Sequence, residues 1–176
     1  MVSLVVDAVL PARADQTDPR LDHLFEVLAA TESEAEAQAV DREIWDRWLA
    51  SNNQETDLMM VRGILAMQLG HLAKAKALFS EIIARHPNFA EAWNKRATVR
   101  YLEGDLVGSI SDCESTLALE ARHYGALSGL GLIHLALGDK KTALMWFEQA
   151  VTLNPHMEGL SEHIESLRKE LKGQPT

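Results

Sequence analysis

One cysteine, five prolines and ten aromatic side chains are all that this 176-residue chain contains of those residue types. A lone Cys113 excludes an intramolecular disulfide framework. No run of eighteen or more apolar residues occurs, so no segment of the sequence is long enough to cross a bilayer as a helix. Positive charge is also scarce. Seventeen Lys and Arg stand against 26 Asp and Glu, a net charge of −9, and a nucleic-acid binder needs the opposite, a basic stripe that displaces counterions from phosphates. The deficit is concentrated before residue 56, where twelve acids face only Arg13, Arg20, Arg42 and Arg47. A solvated acidic helix face accounts for this, as does steering of a basic partner.

The sequence is rich in self-similarity. Gly70, Gly104 and Gly138 stand 34 residues apart, and Pro87 and Pro155 are separated by two such periods with Ala121 between them. Ala75, Ser109 and Ala143 keep the same interval, as do Phe79, Cys113 and Phe147, and Gly63, Ala97 and Gly131. Within each period, apolar positions recur at helical spacing on both sides of the glycine. In the first, Met59, Met60, Gly63, Ile64 and Met67 precede Gly70, and Leu72, Ala75, Leu78, Phe79, Ile82 and Ile83 follow it. Glycine ends a helix by accepting a positive φ, and proline stops the second one. Each period is therefore a pair of helices.

These segments resemble tetratricopeptide repeats. Trp93, Ala97, Tyr101, Gly104-Asp105 and Ile110 carry the pattern in one unit, and Leu127, Leu130-Gly131, Gly138-Asp139, Ala143, Phe147, Ala150 and Pro155 carry it in the next. The resemblance covers residues 56–157 without insertion. His71 and Ala121 depart from it, where Asp and Pro are usual, and Tyr101 stands one place late. It implies an all-α, right-handed solenoid of about nine helices. Its repeats are at 21–55, 56–89, 90–123 and 124–157, the first degenerate, with a capping helix over 158–172 and a tail at 173–176. Trp93 is expected to be a principal packing residue, and Cys113 a small buried hydrophobe rather than a reactive thiol. Upstream, Asp18-Pro19 reads as a helix start. Leu21, Leu24, Phe25 and Leu28 form one stripe, and Val40, Ile44, Trp48 and Leu49 another, with Trp45 on its flank.

Residues 1–20 read as a leader. Ala12-Arg13-Ala14 has the small-x-small form of a signal-peptidase site, yet Asp7 interrupts the apolar run and no basic segment precedes it. The segment is either the remnant of a signal peptide with its start upstream, which implies export to the periplasm, or a disordered leader of a cytoplasmic protein.

Catalytic and metal sites are not expected. His134 falls in a packing column, and His156 and His163 lack further ligands. Gly125–Gly131 superficially resembles a phosphate loop, but no strand precedes it. No cofactor is implied. What the resemblance implies instead is an inner groove, lined by the first helix of each pair, that holds a peptide or helix of a partner protein. Carried over by position, the groove consists of Met60, Ile64, Met67 and Gln68, then Glu91, Asn94, Thr98, Tyr101 and Leu102, then Gly125, Ser128, Leu132 and Leu135. The chain's own termini are alternative occupants. Glu26, Ala30, Val61, Glu91 and Lys95 stand where a two-carboxylate clamp would need Lys, Asn and Arg, so no such clamp is expected. The function expected is that of a monomeric, non-catalytic adaptor or assembly factor. A cytoplasmic secretion chaperone is the alternative, and a regulatory subunit or enzyme with an unseen site is more remote.

Overall fold

The computed structural model describes residues 15–173. The leader reading over residues 1–14, with the Ala12-Arg13-Ala14 motif, and the tail beyond residue 173 lie outside the described residues. Within them are nine α-helices and no strand: α1 (Arg20–Ala30), α2 (Glu34–Leu49), α3 (Gln54–Gln68), α4 (Leu72–Arg85), α5 (Ala90–Leu102), α6 (Leu106–Leu119), α7 (Tyr124–Ala136), α8 (Lys140–Leu153) and α9 (Leu160–Lys172). A short 3-10 turn, Asp15–Thr17, precedes α1. Residues 15–20 thus belong to the fold rather than to a leader. Asp18 is buried, and its carboxylate accepts from the Arg20 backbone N–H and from the Arg20 and Arg47 guanidinium groups, which hold it far below the usual carboxylate range.

The 34-residue glycines have one geometric job. Gly70, Gly104 and Gly138 adopt φ of 75°, 81° and 78°, which side chains with a Cβ resist. At each, the following N–H reaches back five residues to close the helix end: His71 to Ala66 O, Asp105 to Arg100 O and Asp139 to His134 O. Asp105 and Asp139 then cap the next helix by accepting from Gly108 and Thr142 N–H. His71, the departure noted in the sequence, provides no such side-chain cap for α4.

Two other columns prove to be complementary. A Cβ at Gly63 would lie 2.5 Å from the Phe79 ring, and one at Gly131 would collide with Phe147. In the middle unit the pair becomes Ala97 and Cys113, buried in one cluster. The larger residue on the first helix is matched by the smaller one on the second, so the helices of each pair stay close. Cys113 is buried as expected. Burial, with the charges of Asp112 and Glu114 beside it, pushes its thiol up to about 12, so it is unreactive at neutral pH.

The stack curves in a definite sense. The first helices of successive pairs pack directly on one another, α3 with α5 and α5 with α7, whereas the second helices meet each other slightly at most. Helices α3, α5 and α7 therefore form the inner, concave face. At the far end, α9 lays Ile164 and Leu167 against Ala143 and Phe147 and turns its charges outward.

The near end is open. Leu58 and Leu65 are 45% and 53% exposed, while their equivalents one and two periods on, Ala92, Val99, Ala126 and Ile133, are buried. The difference arises because α4 and α6 cover α5 and α7, but among the described residues no helix covers α3 in the same way. Here the degenerate first repeat departs from expectation. Instead of standing ahead of α3, the α1–α2 hairpin folds inward, α2 against α5 and α1 against α8. Its apolar stripes join Tyr124, Leu127 and Ala150 in one core cluster.

Trp93 is also a correction. It is only partly buried, with its indole N–H donating to Pro87 O at 2.9 Å and Arg96 4.9 Å from its ring centroid. The largest fully buried side chain is Trp48, on α2.

Candidate functional site

The concave face divides into a covered end and an open end. Three positions assigned to the groove, Met60, Glu91 and Asn94, are buried, and Gly125 is pressed by the Trp45 ring. The cover is α2. Trp48 stacks on His123 with ring centroids 4.1 Å apart and planes 13° from parallel. Trp45 meets His123 and Tyr124 edge-on at 5.5 and 5.6 Å. Leu49 packs against the cluster that contains Met60.

Beneath the tryptophans lies a polar network. Glu91, fully buried, accepts from Asn94 Nδ2 and from His123 Nε2, each at 2.9 Å, while Lys95 Nζ lies 2.8 Å from its other oxygen. His123 Nδ1 accepts from the Ala126 N–H at 3.1 Å and so caps α7. That bond leaves the ring proton on Nε2, facing Glu91. Burial works against the Glu91 charge, but Lys95 and His123 outweigh it and hold the carboxyl at about 2. Lys95 Nζ also lies 5.1 Å from the Trp45 ring centroid. Asp41 on α2 completes the contact, accepting from Tyr124 Oη at 2.7 Å and Asn154 Nδ2 at 2.8 Å. Burial first, and then that bond, raise the Tyr124 hydroxyl far above its ordinary value.

The open end keeps the remaining groove positions. Leu102 and Leu132 are about half exposed, Gln68 and Thr98 are exposed, and Ile64, Met67, Tyr101, Ser128 and Leu135 are partly so. They form a mostly apolar floor with the hydroxyls of Thr98, Tyr101 and Ser128 on it. A cleft of about 500 Å³ adjoins this floor at Ser128 and Leu132 and runs between α2, α7 and the loop before α9.

Of the positions expected to face the ligand, Glu91 is buried against His123 and Lys95, Asn94 is buried and bonds Glu91, and Gly125 lies against the Trp45 ring of α2. Sequence reasoning missed Asp41, Trp48, His123 and Asn154 as shapers of this face. One signal was available: two of only four tryptophans stand three residues apart on α2. The clamp positions carry no free base, since Lys95 is committed to Glu91. Among the described residues no cluster of His, Cys, Asp or Glu could hold a metal ion, and no helix is long and apolar enough to cross a membrane.

Comparison with known proteins agrees with this architecture. Two models of the tetratricopeptide repeat match the chain, at residues 60–121 and 124–157. A TPR repeat-containing protein of Rhizobium etli is 32% identical over 157 residues, covering 89% of this chain and 77% of the relative. Tetratricopeptide repeat protein 36 of Bos taurus is 31% identical over 124 residues, covering 68% and 64%. Among solved structures, the first TPR of Spaghetti (RPAP3) bound to the HSP90 peptide SRMEEVD superposes with a TM-score of 0.64 at 18% identity, over 68% of this chain and 95% of that one. The TPR2B domain of yeast Sti1, in complex with pHsp70, gives 0.61 at 17% identity, over 70% and 100%. With both repeat models and a bacterial relative aligned over most of its length, the chain belongs to the tetratricopeptide-repeat family.

Proposed function

We propose that this protein is a non-catalytic interaction module that holds a segment of a partner polypeptide on the open part of its concave face. Ile64, Met67, Gln68, Thr98, Tyr101, Leu102, Ser128, Leu132 and Leu135 form the contact surface. The observation that carries the reading is the exposure of Leu102 and Leu132 on the inner face, beside a cleft; the structurally similar first TPR of Spaghetti (RPAP3) is bound to an HSP90 peptide. Large apolar side chains left in water at a concavity favour an apolar ligand segment.

The ligand differs from the acidic tail in the HSP90 peptide complex. No base stands free at the clamp positions, and Glu91 and Asn94 are buried and bonded to each other. Met60, Glu91, Asn94 and Gly125 therefore act in this proposal as the seat of α2 rather than as ligand contacts.

The test is capture of partners on immobilised protein by chemical cross-linking, with the cross-linked peptides identified by mass spectrometry. Cross-links from the α5 and α7 inner face are expected, and Ile64→Glu with Tyr101→Glu should abolish them while the melting temperature stays nearly unchanged. Unaltered capture by that double variant would refute the assignment.

A further inference from the structure

The chain repeats one local device three times. Lys95 lies over the Trp45 ring and pairs with Glu91. Arg96 lies over Trp93 and pairs with Asp112, at 4.9 Å from the centroid and 2.8 Å from the carboxylate. Arg122 lies over Phe25, 4.7 Å from its centroid, and pairs with Glu120 at 3.0 Å. In each, an aromatic ring and a carboxylate share one base, because the ring face and the anion attract the same cation from different sides.

The cleft beside the open groove sets another carboxylate, Asp41, beside two aromatic rings, Tyr124 and the Trp45 that already carries Lys95. Trp45 and Tyr124 stand at right angles on one wall, with Asp41 beside them. Both hydrogen bonds to Asp41 end on Oδ1, so Oδ2 accepts from no described residue. Glu158 lies on the rim, Leu132, Met157 and Leu160 supply apolar wall, and among the described residues the only bases lining the cleft are His156 and His163, with no lysine or arginine. Its volume of about 500 Å³ exceeds what one long side chain needs.

We propose that this cleft receives a basic side chain, arginine or lysine, of the partner polypeptide, its aliphatic stem along Leu132 and Met157 and its cationic head at Asp41. Arginine suits the site better, since its flat guanidinium can stack on an indole while it bonds a carboxylate. The inference rests on the proposed capture of a partner at this face, and it adds that the captured segment carries a base next to its apolar residues. The acidic N-terminal third of the chain favours the approach of such a segment.

The test titrates the full chain with three probes, N-acetyl-arginine amide, N-acetyl-norleucine amide and N-acetyl-glutamate amide, and follows the amide and indole N–H signals by heteronuclear NMR. Saturable shifts at the Trp45 indole and at Leu160 are expected for the arginine probe alone. Asp41→Asn, which keeps an oxygen for Tyr124 and Asn154, should weaken binding at least tenfold. Glu158→Gln, on the exposed rim, should weaken it about threefold and serves if the first variant does not fold. Equal binding of the norleucine probe, no saturable shift with arginine, or unchanged affinity in the variant that folds would overturn the proposal. If the arginine probe fails while Ile64→Glu with Tyr101→Glu still abolishes partner capture, the cleft assignment falls and the groove reading survives. If the probe binds but that double variant captures partners normally, the groove reading falls instead.

Discussion

The Trp48 indole lies flat on the His123 imidazole, 4.1 Å between centroids, and this stack fastens the N-terminal hairpin to the inner face of the solenoid. Trp48 is 1% exposed and His123 fully buried. Replacement of Trp48 by Ala removes the largest buried side chain and leaves a cavity against a polar network, at a cost of about 3–5 kcal/mol. Urea denaturation measures that loss. Hydrogen exchange should show faster exchange concentrated in α1, α2, the first turns of α5 and α7 and the last turn of α8, with α9 much less affected.

Acid should act through Glu91. Its carboxyl, held at about 2 in the fold, has an ordinary value of 4.5. The unfolded chain therefore takes up this proton first, and the stabilisation is complete above about pH 4.5 and is lost as pH falls toward 2. Glu91→Gln should cost about 2–3 kcal/mol at pH 7, and the gap to wild type should narrow by pH 3. Denaturation midpoints across that range check the slope, and a gap that stays constant would remove Glu91 from the account.

Much of this fold could be read in advance, for a local reason. The turn at Gly70, Gly104 and Gly138 demands positive φ, and the close approach at Gly63 and Gly131 demands a missing Cβ, so both requirements are written at fixed positions. Where α1 and α2 pack was not legible. The stripe of Ile44, Trp48 and Leu49 states that a face must be buried, but amphipathicity carries no address for the surface that buries it. The same gap misplaced Glu91 and Asn94. Position along α5 assigns them to the inner face, but it does not reveal that Glu91 is buried against His123, on which Trp48 stacks. Trp93 was overestimated because its indole N–H needs a polar partner, found at Pro87 O near the surface.

Gly131→Val should be among the most damaging single changes. Its side chain would enter the space of the Phe147 ring, and neither helix of the pair can retreat without losing its core contacts. Overpacking of this kind costs about 1–3 kcal/mol or more. A second substitution, Phe147→Cys, which recreates the Ala97–Cys113 style of pairing, should recover part of the loss with Gly131→Ala. A double-mutant cycle on thermal unfolding reads that coupling.

The open end of the stack makes an opposite prediction. Leu58→Lys with Leu65→Glu alters two large apolar side chains, yet both lie about half in water with none of the described helices stacked over them. Stability should change by less than about 1 kcal/mol, as measured by chemical denaturation. A loss of several kcal/mol would mean that something covers α3.

That last point bears on the central claim, that α2 seals one end of the concave face instead of heading the stack. Nuclear Overhauser contacts of the Trp48 indole decide it most directly. The account predicts strong contacts to the His123 imidazole and to Tyr124 ring protons, and none to Leu58 or Leu65. Contacts from α1 or α2 to Leu58 and Leu65, with no signal between Trp48 and His123, would contradict it.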